Sequence, residues 1–241
     1  MFGKPHVGRP GNRGRAHTRK DERQRVGLVA GDAIPSPVPH CDFVTFTCYK
    51  TLMGGRGGII LAREEFAEKL NRSVFPGTQG TSAVNLIAAK AVIMKLAMHP
   101  KFKELQKQTV EHAAYMARQL SAKGFRIVTG GTDNHQVVVD LSDTGITGAQ
   151  AETRLEACGI VLNRNVVPAD AKKAGKVSGL RIGTGAITAR GLGKQEISML
   201  VDYIKWQEND LEQIKLLRDN TPEDFRLVWS PHSQPQSKSW N

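Results

Sequence analysis

Lys50 closes a run of β-branched and aromatic residues, DFVTFTCY, and stands just before the glycine-rich turn Met53-Gly54-Gly55-Arg56-Gly57-Gly58. A lysine at the end of a buried strand is desolvated. Desolvation lowers its pKa and frees the neutral amine for attack on a carbonyl, as Schiff-base chemistry needs. The plain alternative is a lysine snorkelling from the sheet edge. The turn that follows offers free backbone N–H groups and the Arg56 guanidinium, a set suited to a phosphate, although glycines also serve ordinary hairpins. Arg181, in SGLRIGTGA, sits among apolar neighbours in a strand-like stretch. Such an arginine holds a carboxylate in a bidentate grip or makes a structural salt bridge. His135, in GGTDNHQ, precedes a strand, where a histidine more often closes a turn than performs catalysis. An amine nucleophile, an anion cradle and a carboxylate clamp together are what pyridoxal phosphate acting on an amino acid requires.

The elements that would position these groups follow from patterning. Residues 42–49 read as a buried strand and 59–61 as a second one. Residues 34–40 hold three prolines and form an extended connection. Residues 63–71 read as a helix, 74–81 as a loop, and 82–98 and 101–123 as two helices with apolar faces. Further on, 136–141 is a strand. Thr147 with Gln150 three residues later is a capping box opening a helix to about residue 157. Strands follow at 159–163 and 180–183, and a long amphipathic helix at 193–217. The fold class is α/β.

Composition bounds the class. The chain has 241 residues, 39% hydrophobic and 24% charged, as in ordinary globular proteins. No run of eighteen apolar residues and no N-terminal apolar segment is present, so the reading is of a soluble chain without membrane span or secretory leader. Cys41, Cys48 and Cys158 are odd in number and far apart, which fits a reducing cytosol and no metal knuckle. The net charge of +11 is largely local: residues 1–25 carry eight Lys/Arg against Asp21 and Glu22, leaving the body mildly basic. Nucleic acid is therefore not the expected partner. The domain reading is a disordered Arg-rich tail at 1–25, a cofactor-domain remnant with the reactive lysine at 26–96, a small α/β domain at 97–220, and an irregular tail at 221–241.

Several stretches resemble serine hydroxymethyltransferase, also called glycine hydroxymethyltransferase. They are GLVAGDAIPSPVPH, DFVTFTCYKTL with GGRGGIIL, KLNRSVFPGTQG, LIAAKAV, GGTDNHQVVVDL, GITG, NRNVVP and SGLRIGTGAITARG. They occur in family order, with near-family spacing, over roughly residues 26–206. The resemblance implies the C-terminal part of a fold-type I pyridoxal-phosphate transferase: a partial large domain plus the small domain. It implies that Lys50 holds pyridoxal 5'-phosphate covalently, that Arg56 lies close to its phosphate, and that Gly80 falls in a loop reaching the neighbouring subunit's phosphate. Arg181 matches the substrate-carboxylate arginine, and Asn165 an asparagine contacting the pterin of tetrahydrofolate. Asp21 matches the aspartate paired with the pyridine nitrogen by spacing alone, six residues before Gly27. The implied activity is reversible hydroxymethyl transfer between serine and glycine, part of one-carbon metabolism and glycine biosynthesis, in a cytoplasmic homodimer or in association with a full-length paralogue.

The departures cluster near the cofactor. The family has histidine where this chain has Gln24, Thr-His at Cys48-Tyr49, Arg-Gly-Pro-Arg at residues 53–56, and Gly-Gly-Pro at residues 80–82. They point to an altered substrate or acceptor, such as an α-methylserine hydroxymethyltransferase, a threonine aldolase or a transaldolase. The family's first half, with its phosphate loop, ring-stacking aromatic and proton-transfer Tyr and Glu, has no counterpart here. The chain therefore reads as a fragment, a mis-set start or a truncated paralogue, one that lacks the family's acid/base set for acting alone.

Overall fold

The computed structural model describes residues 19–168, 170 and 177–206, with backbone only at 19–21 and 206. Expectations for 1–18, 207–217 and 221–241 lie outside the described residues. The chain divides into two compact units, after Gln108. The division falls within a helix, whereas the sequence reading set it at 96/97.

In the first unit a three-stranded sheet has the order β1 (Arg19–Asp21), β2 (Phe43–Thr47), β3 (Gly58–Ala62). β1 runs parallel to β2, with Asp21 opposite Thr45, and β3 runs antiparallel, with Thr47 opposite Gly58. Residues 19–25, read with the disordered tail, are strand and turn instead. The pairing is made by the main chain, which the polar Arg-Lys-Asp side chains do not advertise. The alternation in β2 turns Val44 and Phe46 inward. They pack with Val26 of α1 (Val26–Ala30), Cys48, Leu52, Ile93 and Ala97 of α3 (Val84–Ala97), and Phe102 of α4 (Pro100–Ala122). In the chain, α2 (Ala67–Val74) follows β3 and precedes α3, and none of its residues is buried.

In the second unit the sheet order is β4 (Arg126–Ile127), β5 (Gln136–Asp140), β7 (Gly179–Gly183), β6 (Asn163–Asn165), antiparallel throughout. Val137 faces Ile182 and Val139 faces Leu180 across the β5–β7 ladder, and all four are buried. The last turns of α4 add Ala113, Met116, Ala117 and Leu120, at one-face helical spacing. The same core takes Ala151 and Leu155 of α5 (Gly148–Ala157), and Ile197, Val201 and Ile204 of α7 (Lys194–Trp206). Between β7 and α7 a short helix, α6 (Gly185–Ala189), was not expected from the sequence. The capping box that opens α5 is present: the Gln150 amide donates to Thr147 Oγ1 at 3.2 Å and the Thr147 amide to Gln150 Oε1 at 2.8 Å. Among the described residues no helix is long and apolar enough to cross a membrane.

An ion pair at the edge of this sheet makes a pH prediction. Burial pushes the Asp140 carboxyl up. The Ser142 hydroxyl and amide, donating at 2.6 and 2.9 Å, and Arg126 Nη2, donating at 2.7 Å, more than offset this and hold it below its ordinary value. A pKa lower in the folded than in the unfolded chain contributes stability above the unfolded value, about 4. That contribution disappears as pH falls through the folded value. Asp140→Asn is therefore expected to lower the unfolding midpoint at neutral pH. The gap from wild type should close below about pH 4. A gap that stays constant down to pH 3 in urea titrations would refute the ion-pair account.

Candidate functional site

β2 ends at Thr47, and the chain bends out of the sheet over residues 48–50. The antiparallel register nevertheless persists one step past the strand: the Cys48 amide donates to the Gly57 carbonyl at 3.0 Å. Two further bonds tighten the loop, from Gly54 N to Cys48 O at 2.7 Å and from Met53 N to Lys50 O at 2.8 Å. The result is a compact loop, 48–57, that carries both Lys50 and Arg56. Lys50 is exposed, and so is Arg56. The expectation of a lysine desolvated at a strand end is thus corrected. The bend at Cys48 lifts Lys50 out of the layer that buries Cys48 itself.

Three contacts pin this loop from behind. Thr51 Oγ1 donates to Gln24 O at 2.9 Å and accepts from Gly27 N at 3.0 Å, while Gln106 Nε2 donates to Thr51 O at 3.1 Å. On the other side, Lys90 of α3 lays its stem over Gly57, whose φ is +137°, and its Nζ approaches Gly58 O at 3.4 Å. A side chain at Gly57 would collide with that stem. Burial pushes the Cys48 thiol pKa up, and the Lys90 charge acts weakly the other way.

The sequence did not single out Lys90 or Thr51. The visible signal for Lys90 is that it is one of only two charges, with Lys95, in VNLIAAKAVIMKLA, whose other residues are apolar save Asn85. In the sequence Tyr49 stands out only as a departure from the family; in the structure the Arg56 guanidinium lies over its ring, 5.5 Å from the centroid. Gly80 is exposed, and a Cβ built there meets nothing within 4 Å. Asp21 ends β1, and its backbone sits beside Thr45 in the strand that leads to Lys50.

Arg181 and Asn165 belong to the second unit. In β7, Leu180 and Ile182 point into the core, so the two-residue period sends Arg181 to the opposite face. Asn163 is its cross-strand partner, and Arg181 Nη2 donates to Asn163 Oδ1 at 3.2 Å. Asn165 is half-buried, and its Nδ2 donates to Val166 O at 2.8 Å. Behind this edge the buried Asp170 carboxylate accepts from Val167 N at 3.1 Å and from Ser178 N at 2.8 Å, tying the end of β6 to the start of β7. His135 is buried before β5, and its carbonyl accepts from Thr184 N at 3.0 Å, a structural use of the turn.

The structure therefore brings Lys50 and Arg56 onto one loop and Arg181 beside Asn163 and Asn165 on one sheet edge. A reachable primary amine with an arginine on the same short loop fits a cofactor that carries an aldehyde and a phosphate. No cluster of metal-ligating side chains occurs among the described residues. The serine hydroxymethyltransferase family model matches residues 12–204, which is 193 of the 241 residues. With that match spanning both units, the chain belongs to the serine hydroxymethyltransferase family, whose fold is that of the fold-type I pyridoxal-phosphate transferases.

Proposed function

We propose that this chain is a serine/glycine hydroxymethyltransferase-type subunit, with Lys50 the point of covalent attachment for pyridoxal 5'-phosphate. The observation that carries the reading is the pinned 48–57 loop, which sets Lys50 and Arg56 together inside the family match. When bound, pyridoxal phosphate supplies the electron sink that lets a bond at an amino acid's Cα break. The chain's own residues have simpler tasks. Lys50 offers the amine. Arg56 offsets the phosphate charge with in-plane N–H donors. Arg181, held on its face by the alternation of β7 and steadied by Asn163, orients the substrate carboxylate. Asn165 is assigned to the tetrahydrofolate that carries the one-carbon unit, Asp21 to the pyridine nitrogen, and Gly80 to the phosphate of a neighbouring subunit.

An aldolase or transaldolase on the same cofactor is the second reading. It is favoured by Tyr49, which replaces a family histidine next to the reactive lysine and engages Arg56. Dependence of turnover on tetrahydrofolate separates the two. A homodimer, or pairing with a full-length paralogue, is supported by α3. That helix is apolar on nearly every side, yet leaves Val84, Ile87, Val92 and Leu96 between 52% and 70% exposed. A helix apolar all round is normally buried. The cytoplasm is the compartment proposed for it.

The test is reductive trapping. Purified chain is mixed with pyridoxal phosphate, reduced with borohydride and mapped by mass spectrometry. One label per chain, on Lys50, is the expected result. Label scattered over surface lysines in proportion to their exposure would sink the reading.

A further inference from the structure

The ladder between β2 and β3 fixes more than a turn. Thr47 opposes Gly58 as the last pair of the ladder, and just past it the Cys48 amide bonds to the Gly57 carbonyl, so Tyr49 and Arg56 flank the point where the loop closes. The Arg56 guanidinium carbon lies 5.5 Å from the Tyr49 ring centroid. The backbone of the loop is pinned to α3 through Lys90, through Gly54 against Ile93, and through Gly55 against Ala89. The Arg56 side chain is exposed and has several free torsions of its own, so the ring limits where its charge can go.

Resting on the function proposed above, we propose that Tyr49 is a positioning residue: its ring face holds the Arg56 guanidinium ready for the phosphate of the Lys50-linked cofactor. A carboxylate partner would spend the donors and the charge that a phosphate needs. An aromatic face orients the cation and spends no N–H, leaving the guanidinium edge free. This assigns a physical task to the residue that departs from the family beside the lysine.

The role separates phosphate recognition from aldehyde capture. Pyridoxal, which lacks the phosphate, reports Lys50 alone, whereas pyridoxal phosphate reports Lys50 and Arg56. Affinities of the full-length chain for both are measured by absorbance titration in wild type, Tyr49→Phe, Tyr49→Leu, Arg56→Met and the Tyr49→Leu/Arg56→Met double variant. For a cation over an exposed ring, Tyr49→Leu should weaken pyridoxal phosphate about two- to five-fold. Pyridoxal binding should not change. Tyr49→Phe keeps the ring face and should match wild type. In the Arg56→Met background Tyr49→Leu should add nothing.

Equal weakening of both aldehydes by Tyr49→Leu, an additive double variant, or a Tyr49→Phe loss as large as that of Tyr49→Leu would each overturn the role. A wild-type chain in which neither aldehyde is trapped at Lys50 would instead refute the proposed function, and Tyr49's task would fall with it. Trapping at Lys50 with no phosphate-specific loss in Tyr49→Leu refutes the Tyr49 role alone.

Discussion

Lys50→Ala is expected to abolish specific trapping of pyridoxal phosphate while leaving the fold intact. The two halves of that expectation have separate grounds. The loop uses the backbone of residue 50, not its side chain: its carbonyl accepts from Met53 N at 2.8 Å, and alanine supplies the same carbonyl. The side chain is exposed, and an exposed substitution away from caps and special backbone conformations stays within about 0.5 kcal/mol. The loss of label, by contrast, is all-or-none in mechanism, because no other atom of the 48–57 loop is a primary amine. The variant leaves Arg56 in place, so under the proposed role weak non-covalent binding of the cofactor is expected to persist. Borohydride then fixes only adventitious lysines. Mass spectrometry of the reduced, digested variant beside wild type reads the difference, and unchanged urea unfolding confirms that the fold survived. Equal labelling of another lysine at one per chain in Lys50→Ala would move the site elsewhere.

Much of this architecture is written in local chemistry. Thr147 and Gln150 announced the start of α5 because a capping box is a contract between two side chains three residues apart. The β-branched run in β5 announced a buried strand for the same kind of reason. What escaped depends on partners distant in sequence. The apolar stretch 159–163 reads as a strand, yet Gly159 takes φ +80° at the end of α5, and the strand is the polar Asn163–Asn165. Its pairing is set by backbone register against β7, with Asn163 opposite Arg181, and not by hydrophobicity. β1 escaped for the same reason, since Arg-Lys-Asp has no strand signature and acquires one only beside β2. For the candidate residues, the types of Lys50, Arg56 and Arg181 suggested an amine, an anion partner and a carboxylate partner. Their surroundings were not legible. The exposure of Lys50 follows from a bend after Thr47, and the Tyr49–Arg56 contact follows from how the 48–57 loop closes on itself, which only the folded chain reveals.

Gly27→Ala is the substitution expected to damage the first unit most, and the reason lies 24 residues away. α1 approaches the segment after Lys50 so closely that a Cβ on Gly27 would stand 2.1 Å from the Thr51 carbonyl oxygen and 2.7 Å from the Leu52 nitrogen. Both are backbone atoms, so no rotamer change relieves the overlap, and α1 must back away. Retreat breaks the bond from Gly27 N to Thr51 Oγ1 and strains those from Thr51 Oγ1 to Gln24 O and from Gln106 Nε2 to Thr51 O. It also opens the packing of Leu28 and Leu52, which are 0% and 1% exposed. Overpacking and a lost part-buried hydrogen bond together put the cost at about 3 kcal/mol. Gly80→Ala is the matched control, because a Cβ there meets nothing within 4 Å and costs about 0.5 kcal/mol at most. Hydrogen exchange of peptides covering residues 24–31 and 48–58 should lose protection in Gly27→Ala and keep it in Gly80→Ala. Trapping at Lys50 should fall in Gly27→Ala although neither the lysine nor Arg56 has been touched, since the same three bonds fix the loop that presents them. Unchanged exchange in Gly27→Ala would mean that α1 and the Lys50 loop are not in contact, and the account of what positions Lys50 would have to be abandoned.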